Sequence, residues 1–151
     1  MRRAATAALV AIVAAAATGL LGVHTSTAAS TAGGYTLSVT YASVARAGLD
    51  VPFRIQVDAD DGFSDDITLA IDAGYFGLFE TQGFLPEPAE TASVADTVRL
   101  TFDPPPEGDT FVVSYDAYIQ PSSQRGASVR VELIIGDQAI TAVDISTTLL
   151  P

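Results

Sequence analysis

The sequence predicts an all-β protein: a single seven-stranded antiparallel sandwich, immunoglobulin-like or fibronectin-like, preceded by an N-terminal hydrophobic helix. Three observations carry that prediction. Beyond residue 33 the apolar residues recur at every second position in short runs, the period of a strand with one face on a core and one in water. Glycine and proline turns separate those runs, and no long stretch follows the 3.6-residue period of a helix. Before residue 33 the texture differs, with two arginines leading into an uncharged apolar run.

The elements follow in order. Residues 35–41 place Tyr35, Leu37, Val39 and Tyr41 on one face. In 51–57, Val51, Phe53, Ile55 and Val57 point inward, and Pro52 suits an edge or a strand beginning, where no ladder donor is needed. Residues 67–71 alternate Ile67, Leu69 and Ile71; residues 98–102 alternate Val98, Leu100 and Phe102 before a proline-rich turn at 103–109. The clearest strand is 111–120, FVVSYDAYIQ, with Phe111, Val113, Tyr115, Ala117 and Ile119 on its apolar face. It is expected at the centre of the sandwich. Residues 128–135 turn Val129, Val131, Leu133 and Ile135 inward; 139–147 do the same with Ala139, Thr141, Val143 and Ile145.

One stretch breaks the alternation. In AGYFGLFETQGFLPEP, residues 73–88, Tyr75, Phe76, Leu78 and Phe79 are spaced as one turn of helix with a broad apolar side, ended by Gly83. Two readings fit. The segment either plugs an open end of the sandwich or presents Tyr75, Phe76, Leu78, Phe79 and Phe84 to a partner.

At the N-terminus, Arg2 and Arg3 precede an uncharged apolar run over 4–23. That is the pattern of a secretory leader, and Ser26-Thr27-Ala28, Thr27-Ala28-Ala29 and Ser30-Thr31-Ala32 each offer the small residues a cleavage site needs. The run is also about 20 residues long, enough to span a bilayer, although alanine is close to neutral for insertion. Residues 1–32 are therefore expected as a signal peptide or a retained anchor with a short linker, and 33–151 as the domain. In either case the arginines keep the N-terminus cytoplasmic and the domain extracytoplasmic.

Composition narrows function mostly by exclusion. There are 18 acidic residues, all beyond the apolar run, against five arginines there. Such a surface repels phosphate backbones, which argues against nucleic acid as a partner. The chain has no Cys, no Lys and no Trp, and its one His is His24. Disulfides, thiolate chemistry, Ser-His triads, Ser-Lys dyads and zinc sites thereby lose their residues.

Three further groups of residues bear a resemblance. Tyr35-x-Leu37-x-Val39, then Tyr75-Phe76-x-Leu78-Phe79 with Gly83-x-x-Pro86-x-Pro88, then Phe102-Asp103-Pro104-Pro105 with Gly108-Asp109-Thr110, together resemble a family of small uncharacterised bacterial proteins. Those have an N-terminal hydrophobic segment and one extracytoplasmic Ig-like β-sandwich domain. The resemblance covers roughly 35–151; it implies fold and location, and carries over no catalytic residue.

Two acidic groups remain as candidates for chemistry. Asp58, Asp60, Asp61, Asp65 and Asp66 crowd one turn, DADDGFSDD, which is either a solvated hairpin turn or a weak Ca²⁺ site. An EF-hand does not fit, because Gly62 and Phe63 stand where a ligand and a glycine are required. Asp72, Glu80, Glu87 and Glu90 are the carboxylates nominally available for glycoside hydrolysis, but such a site needs a cleft lined with aromatic platforms, and a domain this small offers little room for one. The expected function is thus a non-catalytic, exported interaction module whose partner is a membrane or cell-envelope protein, with no cofactor beyond weak Ca²⁺. A carbohydrate-binding or Ca²⁺-binding accessory domain, or a hydrolase working through the acidic loops, is the alternative.

Overall fold

The computed structural model describes residues 2–17, 22–80 and 83–150. It is all-β, as expected, but the strands number ten and form one curled mixed sheet in place of a seven-stranded Ig-like sandwich. Its elements are helix α1 (Arg2–Ala17), β1 (His24–Ala32), β2 (Tyr35–Arg46), β3 (Asp50–Ala59), β4 (Ile67–Asp72), the single-turn helix α2 (Ala73–Phe76), β5 (Phe84–Leu85), β6 (Glu90–Val94), β7 (Thr97–Phe102), β8 (Thr110–Tyr118), β9 (Ala127–Ile135) and β10 (Gln138–Leu150).

The strand order is β5-β8-β3-β2-β10-β9-β4-β7-β6, with β1 also on β2. Every pairing is antiparallel except one, where Thr148, Leu149 and Leu150 of β10 run parallel to Val44, Ala45 and Arg46 of β2. That short seam joins two antiparallel halves, which curl to face each other across one core. Phe102 of β7 in one half meets Phe111 of β8 in the other, their ring centres 5.2 Å apart.

The alternation found in the sequence is the alternation of the core. Val51, Phe53, Ile55 and Val57 are buried, as are Phe111, Val113, Tyr115, Ala117 and Ile119, and Val129, Val131, Leu133 and Ile135. Pro52 fits for a local reason. Asp116 donates its N–H to the Gly83 carbonyl, away from β3, so the Pro52–Asp116 pair exchanges no backbone bonds. The proline nitrogen therefore faces the β2 side, where pairing has already stopped at Tyr41–Phe53.

Several expectations need correction. The strand at 111–120 is not central: β8 has β3 on one side and only the two-residue β5 on the other. The parity expected for 139–147 fails at its start, where an irregularity between Ala139 and Thr141 leaves Ala139 exposed and turns Ile140 toward the core. The helical turn ends well before Gly83. α2 stops at Phe76, with Gly77 as its cap, because the next residues pair with the end of β8: Gln120 donates to the Leu78 carbonyl, Glu80 to the Tyr118 carbonyl. Residues 24–32, read as leader or linker, are strand β1, in register with β2 from Ala32–Tyr35 onward and closed by the left-handed Gly33-Gly34 turn (φ 58° and 80°). The acidic turn joins no hairpin, since β3 and β4 lie in opposite halves.

α1 is exposed over residues 4–14, including Leu9, Val10, Ile12 and Val13. Among the described residues no helix is long and apolar enough to cross a membrane. The apolar run read from the sequence continues to Val23, and its residues 18–21 lie outside the described ones.

Candidate functional site

Tyr115 organises an aromatic cluster. Its ring meets those of Phe53 at 6.3 Å, Phe76 at 5.5 Å, Phe79 at 5.8 Å and Phe84 at 4.7 Å. Phe53 comes from β3, whereas Phe76, Phe79 and Phe84 come from the segment that leaves α2 and runs back along β8 as β5. The turn of α2 sets Tyr75 and Phe76 side by side, and the bonds from Leu78 N–H to the Tyr75 carbonyl and from Phe79 N–H to the Phe76 carbonyl continue the bend.

This geometry divides the residues expected at a contact surface. Tyr75, Leu78 and Phe79 are buried in the core, while Phe76 and Phe84 are half-buried on its rim, ring against ring at 5.8 Å. Beside them Leu85 is 77 % exposed. The sequence reading took Phe84 and passed over Leu85, yet the signal was present. Neighbouring residues on a strand point to opposite faces, so packing Phe84 on Tyr115 obliges Leu85 to face water. β5 ends after these two residues, at Pro86. Glu80 and Asp116 flank the patch, both exposed.

Tyr75 anchors the segment from below. Its hydroxyl lies 2.9 Å from Thr147 Oγ1, and Thr147 donates its own proton to the Ala42 carbonyl at 2.7 Å. Thr147 has one proton, so Tyr75 donates and Thr147 accepts. This buried relay ties the α2 segment to β10 and β2 at the seam. Burial pushes the Tyr75 phenol above its ordinary pKa; the Thr147 hydrogen bond partly opposes that rise and Tyr41 adds a little to it. Thr147, a buried polar residue, had no signal of its own in the sequence.

Asp58 is half-buried in β3 and accepts from Gln56 Nε2 and Thr110 Oγ1, whereas Asp60, Asp61, Asp65 and Asp66 are exposed. Among the described residues no group of three or more His, Cys, Asp or Glu side chains could hold a metal ion. The carboxylates Asp72, Glu80, Glu87 and Glu90 are likewise exposed, and Asp72 accepts the Arg130 backbone N–H at 3.1 Å.

A shallow groove of about 400 Å³ lies on the outer face of β4, β6, β7 and β9. Ala70 is in register with Arg99 on one side and Glu132 on the other, so the two charges stand across a floor of small side chains, with Thr68, Thr101 and Glu90 nearby. No aromatic ring lines it.

Compared with family models and with curated proteins, the chain matches none.

Proposed function

We propose that the protein is a non-catalytic interaction module, held at the outer face of the cytoplasmic membrane by its N-terminal apolar run, and that it binds a membrane or cell-envelope protein through Phe76, Phe84 and Leu85. The observation that carries this reading is the exposure of Leu85 beside two half-buried aromatic rings, at an edge where β8 is only partly covered. Apolar anchors set in an aromatic rim are what partner-binding hot spots are made of. The charged residues around them, Glu80 and Asp116, call for a partner with arginine or lysine at its own rim. The composition argues the same way, since the chain has no Cys or Lys for thiolate or amine chemistry and no Trp to serve as a sugar platform.

The test is a photo-crosslinking amino acid placed at Leu85 in native membranes, with Ser38 and Val94 as control positions. The reading expects a discrete protein adduct from position 85 that Phe84→Ala weakens at least tenfold. The same adducts from all three positions, or none from position 85, would sink it.

A further inference from the structure

We propose that the two ends of the domain have different surroundings: the end where the chain enters from α1 rests against a lipid bilayer, and the opposite, acidic end points away from it. The inference rests on the reading of the N-terminal run as a membrane tether.

The strand registers define the two ends. His24, Arg46, Asp50, Tyr118, Ala127 and Leu150 lie at the end of entry, because β1 pairs from His24–Val44, β3 with β8 from Asp50–Tyr118, β9 with β10 at Ala127–Thr147, and β10 with β2 at Leu150–Arg46. Loop contacts confirm the grouping. Gly48 N–H bonds the Ile119 carbonyl and Gln120 N–H the Leu78 carbonyl at the entry end; Asp60 N–H bonds the Gly34 carbonyl and Gly136 N–H the Asp66 carbonyl at the other.

Charge is divided unevenly between these ends. The far loops hold Asp60, Asp61, Asp65 and Asp66 after β3, Asp103, Glu107 and Asp109 after β7, and Asp137 between β9 and β10, with no basic residue among them. At the entry end the loop after β2 is Ala-Gly-Leu, with Leu49 40 % exposed, and the fewer acids there, Asp50, Asp72, Glu80 and Asp96, are set against Arg46 and Arg125. Anionic headgroups therefore repel one end far more strongly than the other.

Reach decides the same way. Only residues 18–23 separate Ala17 from His24, and even fully extended they cover about 24 Å. A ten-residue strand such as β3 is about 30 Å long, so the acidic loops stand farther from His24 than the connection can bridge. With α1 in lipid, inverting the domain to bring the acidic end down is beyond its tether as well as electrostatically unfavourable.

The protein has no cysteine, so single labels are clean. A fluorophore would be attached at Leu49→Cys or Ser122→Cys for the entry end, and at Asp61→Cys or Asp137→Cys for the far end. Full-length protein would be reconstituted into phosphatidylcholine–phosphatidylglycerol vesicles carrying a headgroup-attached quencher, with melting temperature checked for each variant. Flotation with the vesicles is the first readout; protein that stays behind refutes the tether itself, and this inference with it. In protein that floats, quenching at positions 49 and 122 should exceed that at 61 and 137 at least threefold. Equal quenching at both ends, or stronger quenching at the acidic end, would overturn the orientation while leaving the tether intact.

Discussion

Thr147→Val separates hydrogen bonding from packing at the seam of the sheet. Valine has nearly the shape of threonine, so the cavity stays filled while the hydroxyl disappears. In the folded protein Thr147 is 2 % exposed and stands between the Tyr75 hydroxyl and the Ala42 carbonyl. Replacing it leaves a buried phenol donor without an acceptor and strips the carbonyl of its side-chain donor. Each such loss costs about 1–3 kcal/mol, and burying the added methyl returns about 1 kcal/mol, so a net loss of about 1–5 kcal/mol is expected. Tyr75→Phe is milder. It removes the phenol but leaves Thr147 still donating to Ala42, at a cost of about 1 kcal/mol. The double variant lacks the orphaned phenol and should therefore lose less than the two single losses combined, by about 1–2 kcal/mol. Urea unfolding followed by circular dichroism measures all three, with an unchanged slope as the check that only stability has moved. Additive losses, or a Thr147→Val variant no worse than Tyr75→Phe, would refute the directed relay.

Other outcomes follow from the same geometry. Because burial raises the Tyr75 pKa, the unfolded state releases its phenol proton first, near pH 10; the stability from the neutral buried phenol is complete below that pH and is lost as pH rises through the folded value. Tyr75→Phe should flatten this alkaline decline in a pH 8–11 melting series, and an unchanged slope contradicts the assignment. Tyr115→Ala removes the ring that four others touch and should cost about 3–5 kcal/mol by chemical denaturation; a loss under about 1 kcal/mol would mean the cluster does not depend on it. Titration calorimetry at millimolar Ca²⁺ should give no saturable heat, whereas heat that disappears in both Asp60→Ala and Asp65→Ala would establish a site in the acidic loop.

What the sequence made legible was burial, and what it concealed was pairing. Strands with one wet face and one dry face announce themselves by period, and β3, β8 and β9 were read with the correct inward residues. β1 carries no such period. Its HTSTAASTA is small and polar on both faces, held by backbone pairing and hydroxyl bonds such as Ser30 to Thr141 at 2.7 Å and Ser26 to Ser43 at 2.9 Å. β6 is an edge strand with little to bury, and β5 is two residues long, so neither leaves a hydrophobic trace. Strand order was equally hidden. FVVSYDAYIQ is apolar enough for a central strand, but its outer neighbour is supplied by the aromatic segment folding back, a non-local event that no local pattern encodes. The same event explains the divided candidate site. Helical spacing marked Tyr75, Phe76, Leu78 and Phe79 as one apolar side, and the fold consumed three of them as core, leaving the rim to Phe76, Phe84 and Leu85.

The position of that rim bears on the affinity it needs. Phe84 lies opposite Tyr115, three residues from the Tyr118 end of β8 and so about 10 Å from the end where the chain enters. One exposed leucine and two half-buried rings make a patch well short of the 1,200 Å² or more that stable soluble complexes bury. If the domain stands on the bilayer by its entry end, the patch faces sideways just above the surface. A partner fixed in the same membrane meets it at an effective concentration that free solution does not provide, and a weak contact suffices. The tether then becomes part of the binding energy. A domain beginning at Gly22 keeps β1 and the patch but loses α1; it should melt like the full-length protein yet yield at least tenfold less of the position-85 adduct when added to the same membranes. Equal adduct from the untethered domain would mean that the patch binds on its own strength, and that confinement to the membrane contributes nothing to recognition.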